Sequence, residues 1–193
     1  MKYHIFAFLI ISLCLNSCLR HYEYRNFTLA NSILNQNNLE KNGFYYSSVD
    51  SPKNSHSIYF FYEDGSYAIT GINDLNLSQF ATKLETDVLY KKQLLSKIKQ
   101  LDFFGKYQIS GDNILLQRFE SYSESRYCVI EAKGNILSNT ALIIKEENFI
   151  IGKKKLRSEN LVKNPEILYF YSCNNCKPDS SYELQKKAKY FSK

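Results

Sequence analysis

Residues 57–70 read SIYFFYEDGSYAIT, and this stretch predicts a β-hairpin. Asp64 and Gly65 stand between two runs of aromatic and β-branched residues, where an Asp-Gly pair is a strong signal for a tight turn. The apolar residues of the first run alternate between two faces, with Ile58, Phe60 and Tyr62 on one and Tyr59 and Phe61 on the other. Because both faces are apolar or aromatic, we expect both to be covered by other parts of the protein.

Strand-like segments recur along the rest of the chain. They are GFYYSSV (43–49), KYQIS (106–110), ILLQRF (114–119), RYCVIEA (126–132), ILS (136–138), ALIIKE (141–146) and EILYFYS (166–172). Residues 111–113 and 133–135 are predicted turns, and Glu146 and Glu147 are predicted to form a solvated turn. The connections are short and no strand–helix–strand alternation appears, which favours antiparallel pairing.

A single helix is predicted at about residues 83–101. Thr82 and Glu85 match the T-x-x-E capping box that often starts a helix. Apolar residues then recur at helical spacing, at Leu84, Val88, Leu95, Ile98 and Leu101. The predicted fold class is therefore α+β and mainly β, with an antiparallel meander sheet or a partly open barrel into which this one helix is inserted.

The N-terminal region has the profile of a secretory signal peptide. Lys2 precedes eleven residues, Ile5 to Leu15, that are all apolar except Ser12. This run is roughly half of the ~20 residues that a membrane-spanning helix needs. A short apolar core behind a basic start is typical of a leader that is removed from the mature protein, here residues 1–17.

The sequence Leu15-Asn16-Ser17-Cys18 resembles the lipobox of bacterial lipoproteins. In that family a diacylglycerol is joined to the cysteine sulfur, the leader is cut before it, and further acylation, for example by palmitate, follows. The resemblance implies that Cys18 is the first mature residue and anchors the protein in the lipid bilayer, since several acyl chains together hold firmly. A plain secreted protein that is cut near Ser17 is the alternative.

After Cys18 the chain lacks the acidic residues that resemble export or retention signals, which implies the periplasmic face of the outer membrane. Residues 18–42 are Asn-rich and predict a tether, and residues 43–193 predict a single β-rich domain with a basic C-terminal tail. The segments FFGKYQISGDNILLQRF (103–119) and KPDSS (177–181) are similar to small Bacteroidetes lipoproteins of unknown function. That resemblance implies a β-meander and no particular activity.

The net charge of +6 comes mainly from two basic clusters. They contain Lys153, Lys154, Lys155 and Arg157, and Lys186, Lys187, Lys189 and Lys193. Such clusters are usually solvated surface, although near an anchor they can also meet anionic lipid headgroups. An exported lipoprotein rarely meets nucleic acid, so no nucleic-acid partner is predicted.

The most specific chemical motif is Cys173-Asn-Asn-Cys176. A thioredoxin-like site is disfavoured because only 17 residues follow Cys176 and Pro178 blocks a helix directly after it. A zinc site needs two more ligands, and Cys128 and His56 are the candidates, but their spacing predicts nothing. A disulfide is the first choice, either between Cys173 and Cys176 or between one of them and Cys128. No metal or other cofactor is predicted.

No catalytic arrangement is apparent in the sequence, and the protein is predicted not to be an enzyme. His56 stands in a polar segment without a nucleophile and an orienting carboxylate nearby in the sequence. The first functional hypothesis is a module that binds a small apolar ligand or a peptide. Its hypothetical lining residues are Phe44, Tyr59, Phe61 and Tyr67. The alternative is an envelope structural or interaction protein that docks a protein partner and has no ligand pocket.

Overall fold

A computed structural model describes residues 29, 39–47, 56–72, 76–98, 104–123, 126–151, 154–157 and 164–177. Within these ranges the elements in chain order are β1 (Gly43–Ser47), β2 (His56–Phe61), β3 (Ser66–Ile72), α1 (Leu77–Thr86), α2 (Val88–Ile98), β4 (Phe104–Ser110), β5 (Asn113–Ser123), β6 (Arg126–Ser138), β7 (Ala141–Ile151), β8 (Lys154–Arg157) and β9 (Glu166–Ser172). The predicted signal peptide and Cys18 lie outside the described residues. Neither described helix has the length and apolar character that crossing a membrane requires.

Eight antiparallel strands form a closed barrel. The pairing order is β6-β5-β4-β3-β2-β1-β9-β7, and β6 also pairs with β7, which closes the ring. Strand β8 is added beside β7 and lies outside the ring. The predicted mainly β, α+β class is therefore confirmed, and the barrel is closed. Eight strands give an interior that is just wide enough for side chains to fill.

The longest hairpin, β6–β7, corrects two turn predictions. Residues 133–135 do not form a turn but continue β6, and the chain reverses at Asn139 and Thr140. Glu146 and Glu147 likewise lie within β7, not in a solvated turn. The pairing shifts between Lys133 and Gly134, because Gly134 pairs with Ile144 whereas Lys133 pairs with Glu146. The glycine thus marks a β-bulge within a strand, which sequence alone does not distinguish from a turn.

The inserted segment contains two helices, so the prediction of one helix at residues 83–101 is wrong. Helix α1 begins at Asn76, which forms a capping box with Gln79. Thr82 is therefore an interior helical residue, and its hydroxyl donates to the Ser78 carbonyl at 2.9 Å. Asp87 has an extended backbone between the helices, and its carboxylate accepts from the Tyr90 N–H. An aspartate that caps a second helix explains the break, because it satisfies a backbone donor that otherwise lacks a partner.

The apolar side chains form two cores, one on each face of the sheet. The interior core fills the barrel with Leu39, Tyr45, Tyr59, Phe61, Tyr67, Tyr107, Ile109, Ile114, Leu116, Leu142, Ile144 and Leu168. The helix-side core lies between the helices and the outer face of β1–β3, and contains Phe44, Ile58, Phe60, Tyr62, Ala68, Ile72, Phe80, Ala81, Leu84, Leu94, Ile98, Cys173 and Cys176. Both faces of β2 are therefore covered, one by the interior core and the other by the helix-side core, as predicted.

Part of the predicted tether packs against the barrel. Leu29 and Leu39 are both buried. The Leu29 N–H donates to the side-chain oxygen of Gln117 at 3.1 Å, and the Glu40 N–H donates to the Asn139 carbonyl at 3.1 Å. These described residues of the segment therefore belong to the folded domain.

Candidate binding site inside the barrel

The barrel interior changes from apolar to charged along β5. Ile114 and Leu116 belong to the interior core, and Arg118 and Glu120 follow on the same face because side chains alternate along a strand. Carboxylates from two other strands, Glu147 of β7 and Glu166 of β9, and the hydroxyls of two interior tyrosines surround this charged end. We call this group the Arg118 cluster; its members are Arg118, Glu120, Glu147, Glu166, Tyr59 and Tyr67.

Arg118 is the cation of this cluster. Its guanidinium forms ion pairs with Glu120 and, at 3.8 Å, with Glu147. The Arg118 side chain is 16% exposed and that of Glu147 is 22% exposed, so both charges are largely shielded from water. Burial alone would lower the pKa of Arg118, but Tyr67 and Glu120 more than offset this and raise it. The guanidinium therefore remains charged inside the barrel.

The two tyrosines connect the charges to the aromatic interior. The Tyr59 hydroxyl donates to Glu166 Oε2 at 3.3 Å. The rings of Tyr59 and Tyr67 are stacked, with centroids 6.4 Å apart. Burial raises the pKa of both hydroxyls well above the ordinary value for tyrosine, so both stay protonated and can donate hydrogen bonds.

Two of the carboxyl groups, those of Glu147 and Glu166, have a pKa above the ordinary value for glutamate. Burial raises the pKa of Glu147, and the nearby Arg118 only partly opposes this effect. Burial also raises the pKa of Glu166, against the hydrogen bond from Tyr59. The cluster thus contains three carboxyl groups and one guanidinium, and it can gain positive charge by taking up a proton or a cation.

Gly105 of β4 provides the room for this cluster. It pairs with Tyr67 on one side and with Arg118 on the other. A Cβ atom at this position would lie 2.5 Å from Cε1 of Tyr67 and 2.2 Å from the Gln117 carbonyl oxygen. The Tyr67 ring consequently occupies space that any side chain at position 105 would need.

The hypothetical lining residues separate into two groups. Tyr59, Phe61 and Tyr67 lie together in the interior core. Phe44 points to the opposite face and belongs to the helix-side core, where its ring contacts Phe80 and Tyr171 with centroids 5.3 and 5.2 Å away. The register explains the separation, because the neighbouring residue Tyr45 pairs with Tyr59 and takes the interior position.

The other residues considered from the sequence lie elsewhere. Cys173 and Cys176 are joined in a disulfide just after β9, and Cys128 is buried in β6 outside that pair. His56 is the first residue of β2, and its Nδ1 lies 2.9 Å from the Ser47 carbonyl oxygen. That contact explains the placement of the imidazole without a catalytic role.

The charged members of the cluster were not predicted from the sequence, although one of them could have been found from the alternation along β5. Continuing the alternation of Ile114 and Leu116 by two residues would have placed Arg118 inside the barrel. The same argument could not have found Glu147, because the bulge opposite Gly134 changes which residues of β7 face inward.

Comparison with protein-family models, with curated proteins and with solved structures finds no match for this chain.

Proposed function

We propose that this chain is a bacterial lipoprotein, anchored through acylated Cys18 at the periplasmic face of the outer membrane, and that its barrel binds a small molecule. The lipobox-like sequence at residues 15–18 supports the anchor. The Arg118 cluster supports the binding site, because ligand sites commonly combine aromatic walls with a few convergent polar groups. The proposal includes no catalytic step.

The observation that carries the binding proposal is the charge balance inside the barrel. The guanidinium of Arg118 pairs with Glu120 and Glu147, and a third carboxyl group, that of Glu166, is buried nearby beside Tyr59 without a cation among its partners. Buried charges lower stability unless each is paired, and a core selected for stability alone would continue the apolar filling. A ligand with an amine group would supply a second cation beside the carboxyl groups of Glu147 and Glu166.

Native mass spectrometry tests this proposal on the full chain, purified from bacterial membranes in mild detergent. We expect a reproducible added mass that disappears on denaturation and in the double variant Glu147→Gln/Glu166→Gln. Glu146→Gln is the matched control, because this carboxylate neighbours Glu147 on the opposite face of β7. A protein that carries no added mass, or one whose added mass persists in the double variant, would contradict the binding site.

The anchor is tested separately by labelling growing cells with a radioactive fatty acid. We expect the label in the wild-type chain and none in Cys18→Ser, whose precursor stays uncleaved. Cys14→Ser is the matched control, because this cysteine lies within the apolar core of the predicted leader. Label that persists in Cys18→Ser would refute the anchor. Fractionation of inner and outer membranes on a density gradient tests the proposed location.

A second candidate function, the docking of a protein partner in the envelope, is favoured by one observation. Val88 and Leu89 at the start of α2 are 68% and 66% exposed, and adjacent exposed apolar side chains are a feature of interaction surfaces. A photo-crosslinking residue at position 88 would form one discrete product if this surface docks a partner. The same residue at the exposed position 97 of this helix is the control. Equal labelling from both positions would argue against docking.

A further inference from the structure

The disulfide after β9 faces oxygen atoms from helix α1. The Glu85 carboxylate oxygen lies 3.3 Å from Sγ of Cys173. The Ala81 carbonyl oxygen lies 3.5 Å from Sγ of Cys176 and 4.0 Å from Sγ of Cys173. Both cysteines are buried, whereas Glu85 is exposed. Helix α1 therefore presents two electron-rich oxygens to the sulfur pair, one in the core and one at the surface.

In the oxidised form, these sulfur and oxygen atoms cannot form hydrogen bonds with each other. A disulfide sulfur has no hydrogen to donate, and carboxylate and carbonyl oxygens only accept. In the reduced form, two thiols could donate to these oxygens. Two thiolates and the carboxylate would instead form a set of metal ligands. The three ligand atoms already lie within 4.8 Å of one another.

We propose that the reduced, dithiol form of Cys173 and Cys176 binds Zn²⁺ together with Glu85. Thiolate sulfur and carboxylate oxygen are both common ligands of zinc, and two thiolates disfavour Mg²⁺ and Ca²⁺. The Ala81 carbonyl, or a water molecule that enters beside the exposed Glu85, would complete four ligands. The site joins α1 to the turn after β9, and so it would connect the helices to the barrel.

The turn that carries the cysteines is held in place by other contacts. The Cys173 N–H donates to the Asn42 carbonyl at 3.1 Å. Asn175 has a φ of 60°, the left-handed conformation that reverses the chain between the two cysteines. The Lys91 ammonium donates to the Asn175 carbonyl and ties α2 to the same turn. Since these contacts do not involve the sulfur atoms, reduction is expected to leave the turn in position.

The two forms of the site exclude each other. A dithiol reductant supplies two electrons and two protons to the Cys173–Cys176 bond and is itself oxidised to a disulfide, which leaves two thiols on this protein. Zinc binding then releases the two thiol protons. The proposal does not depend on the ligand of the Arg118 cluster, since the site lies on the outer, helix-covered face of the barrel.

The test is a cobalt titration of the full chain in which Cys14 and Cys18 are replaced by serine. The protein is reduced, freed of reductant without oxygen, and titrated with Co²⁺ as a coloured substitute for Zn²⁺. We expect one equivalent to bind with a sulfur-to-cobalt charge-transfer band, and Zn²⁺ to displace it. Mass spectrometry after alkylation should show zinc protecting Cys173 and Cys176 and not Cys128. The oxidised protein should give no such band.

Glu85→Gln distinguishes the proposed site from a simple pair of thiols. We expect this variant to fold, because Glu85 is exposed, and to bind Co²⁺ more than about tenfold more weakly than the parent chain. Glu63→Gln, at an exposed position in the β2–β3 turn, is the matched control and should bind like the parent. No charge-transfer band in the reduced parent would overturn the proposal. Unchanged affinity in Glu85→Gln would overturn the role of the carboxylate.

Discussion

Nη2 of Arg118 and Oε1 of Glu147 lie 3.8 Å apart inside the barrel, although their strands, β5 and β7, do not pair with each other. Both β5 and β7 pair with β6, and their side chains meet across it on the inner face. The Arg118 guanidinium thus forms ion pairs with carboxylates from two strands, β5 and β7. The ion pair between Arg118 and Glu147 therefore forms only when β5 and β7 are both paired with β6.

Arg118→Met should destabilise the protein strongly at neutral pH. Removal of the cation leaves the largely shielded carboxylate of Glu147 without compensation, and we expect a loss of about 2–4 kcal/mol in the free energy of unfolding at pH 7. The loss should be smaller at pH 5, because burial raises the pKa of Glu147 and protonation of this carboxyl group removes part of the imbalance. Urea unfolding at both pH values measures it. Lys154→Met, at an exposed position of β8, is the control. An equal loss at both pH values would contradict the coupling between Arg118 and Glu147.

The stability of the Glu166→Gln variant, relative to that of the wild type, should increase as the pH rises. Burial raises the folded-state pKa of Glu166 above its unfolded value. Between these two values the folded state binds more protons than the unfolded state, so the wild type loses stability as the pH rises through the folded pKa. Glutamine resembles the protonated acid and avoids this loss. We expect the difference in urea midpoint to favour the variant more at pH 7 than at pH 4. A difference in midpoint that stays the same at pH 4 and pH 7 would contradict the raised pKa of Glu166.

Gly105→Ala should destabilise the folded protein far more than Gly71→Ala does. The added methyl group would meet the Tyr67 ring and the Gln117 carbonyl, and the required shift should cost about 2–3 kcal/mol. At Gly71, a Cβ meets nothing within 4 Å among the described residues. Thermal unfolding of both variants measures the difference. Similar melting temperatures would show that Tyr67 does not lie over Gly105.

Asn76→Ala should weaken helix α1, whereas Thr82→Ala should not. Asn76 accepts from the Gln79 N–H at 2.8 Å, and loss of such a cap typically costs about 1 kcal/mol. Thr82 is an exposed interior residue of the helix, where alanine has the better helix propensity. Chemical unfolding of both variants decides between the two possible starts of the helix. A larger loss in Thr82→Ala would favour the start predicted from the T-x-x-E pattern.

The local elements could be read from the sequence because their signals are local. The alternation at residues 58–62 and the Asp64-Gly65 pair predict the β2–β3 hairpin, and the structure confirms it. The helix boundaries were less predictable. Asn76 and Thr82 are both acceptable caps, and the choice depends on which turn of the helix packs against the helix-side core through Phe80 and Leu84.

The sequence by itself determined the antiparallel, mainly β class and the two apolar faces of β2, and it predicts an anchor at Cys18. Tertiary structure alone decided the closure of the barrel and the assembly of the Arg118 cluster. The bulge opposite Gly134 puts Ile144 and Glu147, three residues apart, on the same inner face, where strict alternation would have placed Glu146. A shift of one residue in register reverses the face of every later side chain, and that shift is set by contacts between strands that are distant in sequence.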